Sequence, residues 1–185
     1  PIYDRAVTIA AQVADSIKVG SAHQPGDHIG PVVNKRQWEQ IQSYIQKGID
    51  EGARLVAGGT CLPEGFNRGF YVKPTVFADV TPGMTIEREE IFGPVLSIIK
   101  YQDEDEAVRI ANDSIFGLGG SVWSSDSAHA TDVARRVDSG TVGVNGYMPS
   151  LGSPFGGVKG SGMGSEFGPE AVNGYMRTKS IYVMG

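Results

Sequence analysis

One run of residues limits the possible architectures more than any other: Val95-Leu96-Ser97-Ile98-Ile99, almost continuously apolar and entered through the turn Glu90 to Pro94. Such a run suits a strand buried on both faces, as in a sheet covered by helices above and below. The flanking segments supply those helices. Ala6, Ile9, Ala10, Val13 and Ile17 recur at spacings of three and four, and Trp38, Ile41, Ile45 and Ile49 form a second apolar stripe. Asn34 followed by Gln37, and Asp103 followed by Glu106, read as capping boxes that open helices.

Short strands are expected at residues 53–57, 117–123 and 141–144, with extended chain from Phe70 to Val80 around Pro74. A helix from Asp126 to Val137 is expected to close on Gly140 in a left-handed conformation. A short helix follows near Pro169–Asn173, and Met176 to Val183 is β-rich. Helices alternating with buried strands predict an α/β fold, a doubly wound and mostly parallel sheet, with a terminal β segment.

Composition narrows the function. The 185 residues carry 16 Lys and Arg against 21 Asp and Glu, a net charge of −5. That acidity argues against a nucleic-acid or anionic-membrane surface as the main partner. No stretch approaches the 18 apolar residues of a membrane helix. The chain opens on Pro1-Ile2-Tyr3-Asp4 without a signal-peptide pattern and reads as a piece of a longer, cytoplasmic protein. The single cysteine, Cys61, excludes an internal disulfide framework and has no basic neighbour in sequence, so it reads as an inert loop residue. His23, His28 and His129 lack the spacing of a metal pair and read as surface residues. No phosphate-binding loop of the triphosphatase type occurs, and Gly160 to Ser165 only approximates a dinucleotide fingerprint.

Two motifs carry chemistry. Glu89-Glu90-Ile91-Phe92-Gly93-Pro94-Val95 sets two carboxylates and an aromatic ring directly before a strand, where ligands of open α/β sheets gather. A carboxylate there can accept hydrogen bonds from sugar hydroxyls, and a ring can pack a planar ring. The second motif, Ser153 to Glu166, is dense in glycine, in a chain with 26 glycines, roughly double the usual frequency. Such density implies close backbone approach or positive φ, and Glu166 at its end reads as a candidate buried acid.

In this order, together with Ile29-Gly30-Pro31, Glu51-Gly52-Ala53, Gly58-Gly59, Pro74-Thr75, Ala111-Asn112-Asp113, Gly117-Leu118 and Val144-Asn145, the two motifs resemble the aldehyde dehydrogenase superfamily. The resemblance covers essentially the whole chain. It implies the C-terminal part of the catalytic domain over residues 1–174 and an oligomerisation strand or tail over 175–185.

By position, Glu90 matches the glutamate that contacts the nicotinamide ribose, and Phe92 the aromatic residue beside the nicotinamide ring. Phe155 matches a residue lining the substrate tunnel. Glu166 matches a glutamate placed in relatives in a proton relay, although Ser165 stands where many have arginine. Lys159 and Gly162 match backbone positions that hold a structural monovalent cation, K+ or Na+, in some members. Asn145 matches a structural asparagine.

The implied reaction is oxidation of an aldehyde to a carboxylic acid with NAD or NADP, through a cysteine thiohemiacetal and thioester. The nucleophilic cysteine, the general base and the cofactor domain are expected upstream of this chain, which is expected to be inactive alone. The implied partners are an aldehyde and further copies of the protein, as a dimer or tetramer, with no nucleic acid and no membrane. An acylating or reducing superfamily member, or a stand-alone binding fragment, are the alternatives.

Overall fold

The computed structural model describes residues 2–185. The chain divides into two compact units, Pro1–Tyr101 and Gln102–Gly185. In the first, helix α1 (Tyr3–Ser16) and helix α2 (Lys35–Asp50) precede strands β1 (Arg54–Ala57) and β2 (Thr75–Val80). A single-turn helix, α3 (Thr85–Arg88), and strand β3 (Val95–Ile99) complete it. The sheet order is β1-β2-β3, with β1 antiparallel and β3 parallel to β2.

Alternation along β2 distributes its side chains between two layers. Phe77, fully buried, packs with Ile41 and Ile45 of α2 and with Ile86 of α3. Val76 points to the other face, where Ala14 of α1 and Ala57 complete a smaller cluster. The sheet is thus covered on both faces, as the alternation of elements predicts. The strand at its centre, however, is β2. The continuous apolar run is β3, an edge strand whose Leu96 is half exposed. An edge strand needs partners on only one side, and the apolar pattern alone does not tell edge from centre.

Both capping boxes form. The Asn34 carboxamide accepts from Gln37 N at 2.9 Å, and Asp103 accepts from Glu106 N at 2.8 Å. In each, the glutamine or glutamate returns to the N–H one residue before the cap, that of Val33 or Gln102. Helix α3 has no local signal. Its first N–H and the Thr85 hydroxyl are both held by Glu51, at 2.7 and 2.6 Å, 34 positions earlier. Those two bonds hold the Glu51 carboxyl below its ordinary pKa.

The second unit contains helix α4 (Glu104–Asn112), strands β4 (Phe116–Gly117) and β5 (Gly119–Val122), and helix α5 (Ser127–Ala134). Strands β6 (Thr141–Val144) and β7 (Val158–Lys159) follow, then a 3-10 helix (Pro169–Tyr175). The segment expected as one strand over 117–123 is divided at Leu118: β4 pairs antiparallel with β7, and β5 pairs parallel with β6. Across the molecule the ladders are mixed, two parallel and two antiparallel, over three small sheets.

Gly140 corrects a further expectation. It is absent from the left-handed residues, and α5 has already ended at Ala134. Glycine is required there by proximity, because an added Cβ would lie 1.7 Å from the Gly156 carbonyl oxygen. His28 is half-buried rather than at the surface, its ring lying against Gly20. Residues 176–185, β-rich in sequence, form no strand within this chain and are exposed.

Candidate functional site

The turn from Glu89 to Pro94 is built on one face of α2. Gln37, Ile41 and Tyr44 lie four and three residues apart, so they share that face. Tyr44 Oη donates to Glu89 Oε2 at 2.6 Å, and that bond raises the Tyr44 phenol's pKa. An added Cβ on Gly93 would lie 2.7–3.0 Å from three atoms of Ile41, which explains the glycine. The turn is closed to the sheet by Thr75 N donating to Pro94 O at 2.8 Å.

Within this frame Ile91 is buried in the main core, and its neighbours Glu90 and Phe92 are exposed. Phe92 takes a left-handed conformation, φ 52°, and its side chain is turned out, 73% exposed. Among the described residues the Glu90 carboxylate has no hydrogen-bond or ion-pair partner, whereas Glu89 is held by Tyr44. The paired glutamates therefore differ: one is an anchor and the other presents four free lone-pair sites.

In the second unit, Phe155 and Glu166 form an antiparallel bridge, each N–H donating to the other's carbonyl at 2.8 Å. Directly opposed residues of such a pair project to the same side. Phe155 is half-buried and lies against Phe167, ring centroids 6.3 Å apart. Glu166 is exposed, which corrects the expectation of a buried acid. Glu166 stands on the exposed side of the bridge, so its carboxylate keeps its water.

Two hollows adjoin Phe155. One, of about 280 Å³, is lined by Tyr147, Met148 and Pro149; the other, of about 490 Å³, is walled by the glycine run and Glu166. Gly156 belongs to that wall by necessity, since an added Cβ would lie 2.3 Å from Gly164 O. Lys159, at φ 55°, donates through Nζ to Asn112 O at 3.0 Å and pairs with Asp138 at 2.9 Å. Gly162 follows at φ 109°.

Asn145 also sits at positive φ, 54°, and its carboxamide bonds both the N–H and the carbonyl of Ser124 at 2.8 Å. Asn112 plays the same part between α4 and the chain after α5, bonding Arg136 O and Asp138 N. Sequence reasoning gave Asn112 no separate role, and its place in Ala111-Asn112-Asp113 was the available signal.

Cys61 is exposed at φ 81° in a loop of the first unit, its N–H bonded to Gln42 Oε1 of α2. Among the described residues no group of three or more His, Cys, Asp or Glu side chains is arranged to hold a metal ion. No helix among them is long and apolar enough to cross a membrane.

Residues 1–181 match the aldehyde dehydrogenase family, and the chain belongs to that family. It is 53% identical over 183 residues to the geranial dehydrogenase of Castellaniella defragrans, a match covering 99% of this chain and 38% of that protein. A putative aldehyde dehydrogenase of Staphylococcus saprophyticus is 45% identical, covering 95% of this chain and 37% of that protein.

Among solved structures, an aldehyde dehydrogenase from Bartonella henselae aligns with TM-score 0.93 at 53% identity, over 96% of this chain and 37% of that one. A Mycobacterium tuberculosis aldehyde dehydrogenase complexed with NAD+ aligns with TM-score 0.94 at 46% identity, over 99% and 38%. The chain thus spans about 38% of the length of the curated relatives it matches.

Proposed function

We propose that this chain is the C-terminal portion of the catalytic domain of an NAD(P)-dependent aldehyde dehydrogenase. The longer protein would oxidise an aldehyde to a carboxylic acid through a cysteine thioester, on a cysteine outside this chain. The observation that carries the reading is the family match over residues 1–181. The outward projection of Glu90 and Phe92 from a braced turn supports their assignment.

Those two residues fit a nicotinamide nucleotide by the chemistry of their groups. The Glu90 carboxylate is acceptor-only, exposed and unpartnered among the described residues, and so complements vicinal ribose hydroxyls. The Phe92 ring offers an apolar face beside it. When bound, the nicotinamide supplies the hydride acceptor; the relative solved with NAD+ favours NAD over NADP. Glu90 orients the ribose, Phe92 limits the poses open to the ring, and Phe155 lines the path of the aldehyde. Glu166, exposed on the bridge opposite Phe155, is assigned a proton-relay role toward solvent.

Lys159 and Gly162 are assigned to a structural K+ or Na+. Their peptide carbonyls are hard oxygen donors with two lone pairs each, which fits a monovalent cation. Residues 176–185, exposed and without a strand partner in this chain, are assigned to pairing with a further copy in a dimer or tetramer.

The chain alone is inactive in this reading, because its one thiol, Cys61, is an exposed loop residue and the nucleophilic cysteine is assigned outside this chain. The deciding experiment is single-turnover hydride transfer in the full-length protein, comparing Glu90→Gln with Glu89→Gln. The amide keeps Glu90's size but loses charge and half its acceptor capacity, so Glu90→Gln is expected to be the slower by on the order of tenfold or more. Glu89→Gln still accepts from Tyr44 and stays near the parent rate. Equal rates would remove the ribose assignment from Glu90.

A further inference from the structure

Gln37 makes one more bond than its helix requires. Its N–H donates to Asn34 Oδ1 at 2.9 Å, and its Oε1 accepts from Val33 N at 3.2 Å; these two bonds complete the start of α2. A glutamate would serve equally there, and is a common residue at that position of a capping box. The remaining group, Nε2, donates to the carbonyl oxygen of Phe92 at 2.8 Å, across 55 positions of sequence.

Phe92 is a bulky residue at φ 52°, a conformation such residues rarely hold unless neighbouring groups impose it. Its ring is exposed and gains little from packing, so the hold on it is through the backbone. Gln37 supplies it on one side of Glu90, and Tyr44 on Glu89 supplies it on the other. Ile41, between them on the same face, closes against Gly93.

We infer that Gln37 is a positioning residue for the Glu90–Phe92 turn. Its side-chain amide fixes the Phe92 carbonyl, and with it the pitch of the ring and the direction of the Glu90 carboxylate. This rests on the reading of Glu90 and Phe92 given above. Gln37 acts through the turn and not by holding the aldehyde.

The test uses Gln37→Glu in the full-length protein. That variant keeps the capping oxygen and the side-chain length, and replaces the Phe92 donor with an oxygen that repels the carbonyl. The expected result is single-turnover hydride transfer slowed about tenfold, part of the roughly hundredfold that an ångström of misplacement can cost. The aldehyde KM should stay within about twofold, and the melting temperature should be unchanged or higher, since the cap persists and a carboxylate suits a helix start. Gln37→Glu combined with Phe92→Ala should lose less than the product of the two single losses, because both act on one turn.

Parent-like transfer in Gln37→Glu, with Glu90→Gln still slow, overturns the positioning role and leaves the ribose reading standing. Losses that multiply in full, or a fall in melting temperature that accompanies the slowing, overturn it equally. If Glu90→Gln and Phe92→Ala are both as fast as the parent, the ribose reading falls and this inference falls with it.

Discussion

The two units are held by different forces. Among the described residues, thirteen of the buried apolar side chains belong to the first unit, from Val7 to Ile91, and only Val108 and Ala130 to the second. The second unit leaves Ile115, Leu118 and Trp123 exposed and depends on polar clamps. Glu104 receives Arg136 at 2.8 Å and His129 at 2.6 Å, Arg136 also meets Asp105, and Asn112 bonds the backbone beyond α5. Exposed ion pairs are each worth about 0–1 kcal/mol, whereas fully burying a Phe or Ile contributes roughly 1.5–3 kcal/mol. The lesson is that the turn carrying Glu90 stands on the well-packed unit, and the bridge carrying Phe155 and Glu166 stands on the loosely packed one. The first is built to hold a geometry; the second is expected to open locally at lower free energy.

The comparison can be broken most forcefully at Phe77. Phe77→Ala removes the largest fully buried side chain of the first unit and should destabilise it by about 3–5 kcal/mol, read from its urea midpoint. A loss under about 1 kcal/mol would mean that this core is not what holds the unit.

A weaker blow falls on the second unit at Gly140. The methyl of Gly140→Ala meets the Gly156 carbonyl, which should cost about 1–3 kcal/mol. Hydrogen exchange should show the loss in amides of β5, β6 and the glycine run and leave β2 untouched. Faster exchange in β2 would show that the two units unfold together.

Asn34→Ala sharpens the picture of α2 as a platform. Losing the cap bond to Gln37 N should cost about 1 kcal/mol of stability in the first unit. It should also loosen the Glu89–Pro94 turn, seen as broadened amide resonances at Phe92. A stable protein with unchanged Phe92 signals would detach the cap from the turn.

The smallest expected effect is on acid stability. Arg54 Nε bonds Asp79 at 2.6 Å and Tyr3 Oη bonds it at 2.9 Å, and these hold the Asp79 carboxyl below its usual pKa. A depressed folded-state value stabilises above the unfolded pKa near 4, and that contribution is lost as pH falls through the lower, folded value. The pair is half exposed, so solvent screens most of it. Below about pH 4 the parent should lose urea resistance slightly more steeply than Asp79→Asn. Identical acid profiles would mean the network adds nothing.

Much of this was legible without coordinates. The apolar stripe of Trp38 to Ile49 places α2, and the Asn34, Asp103 and Asp126 caps mark helix starts to within a residue. The stripe of Ala6 to Ile17 marks α1 as a helix but not its packed face, since Ile9, Val13 and Ile17 are exposed and Val7 and Ala14 are buried. Other features were not legible. Nothing near Thr85 announces α3, because its cap is Glu51. Nothing in Ser165-Glu166 distinguishes a buried acid from an exposed one, because that depends on the bridge with Phe155. Gly140 looked like a helix stop and is instead the floor beneath Gly156.

The division has a physical cause. Periodicity, caps and turn residues act over three or four neighbours, so the sequence by itself determined where α1, α2 and α4 form and where α5 begins, the α/β class, and the motifs of an aldehyde dehydrogenase family member. Which strand is central depends on pairing between β2 and its two neighbours; which glutamate is anchored and why Phe92 can hold a left-handed conformation depend on partners 45 and 55 residues away. Those contacts exist only once α2 lies against the Glu89–Pro94 turn and β2 lies between its two layers, so only the tertiary structure could decide them.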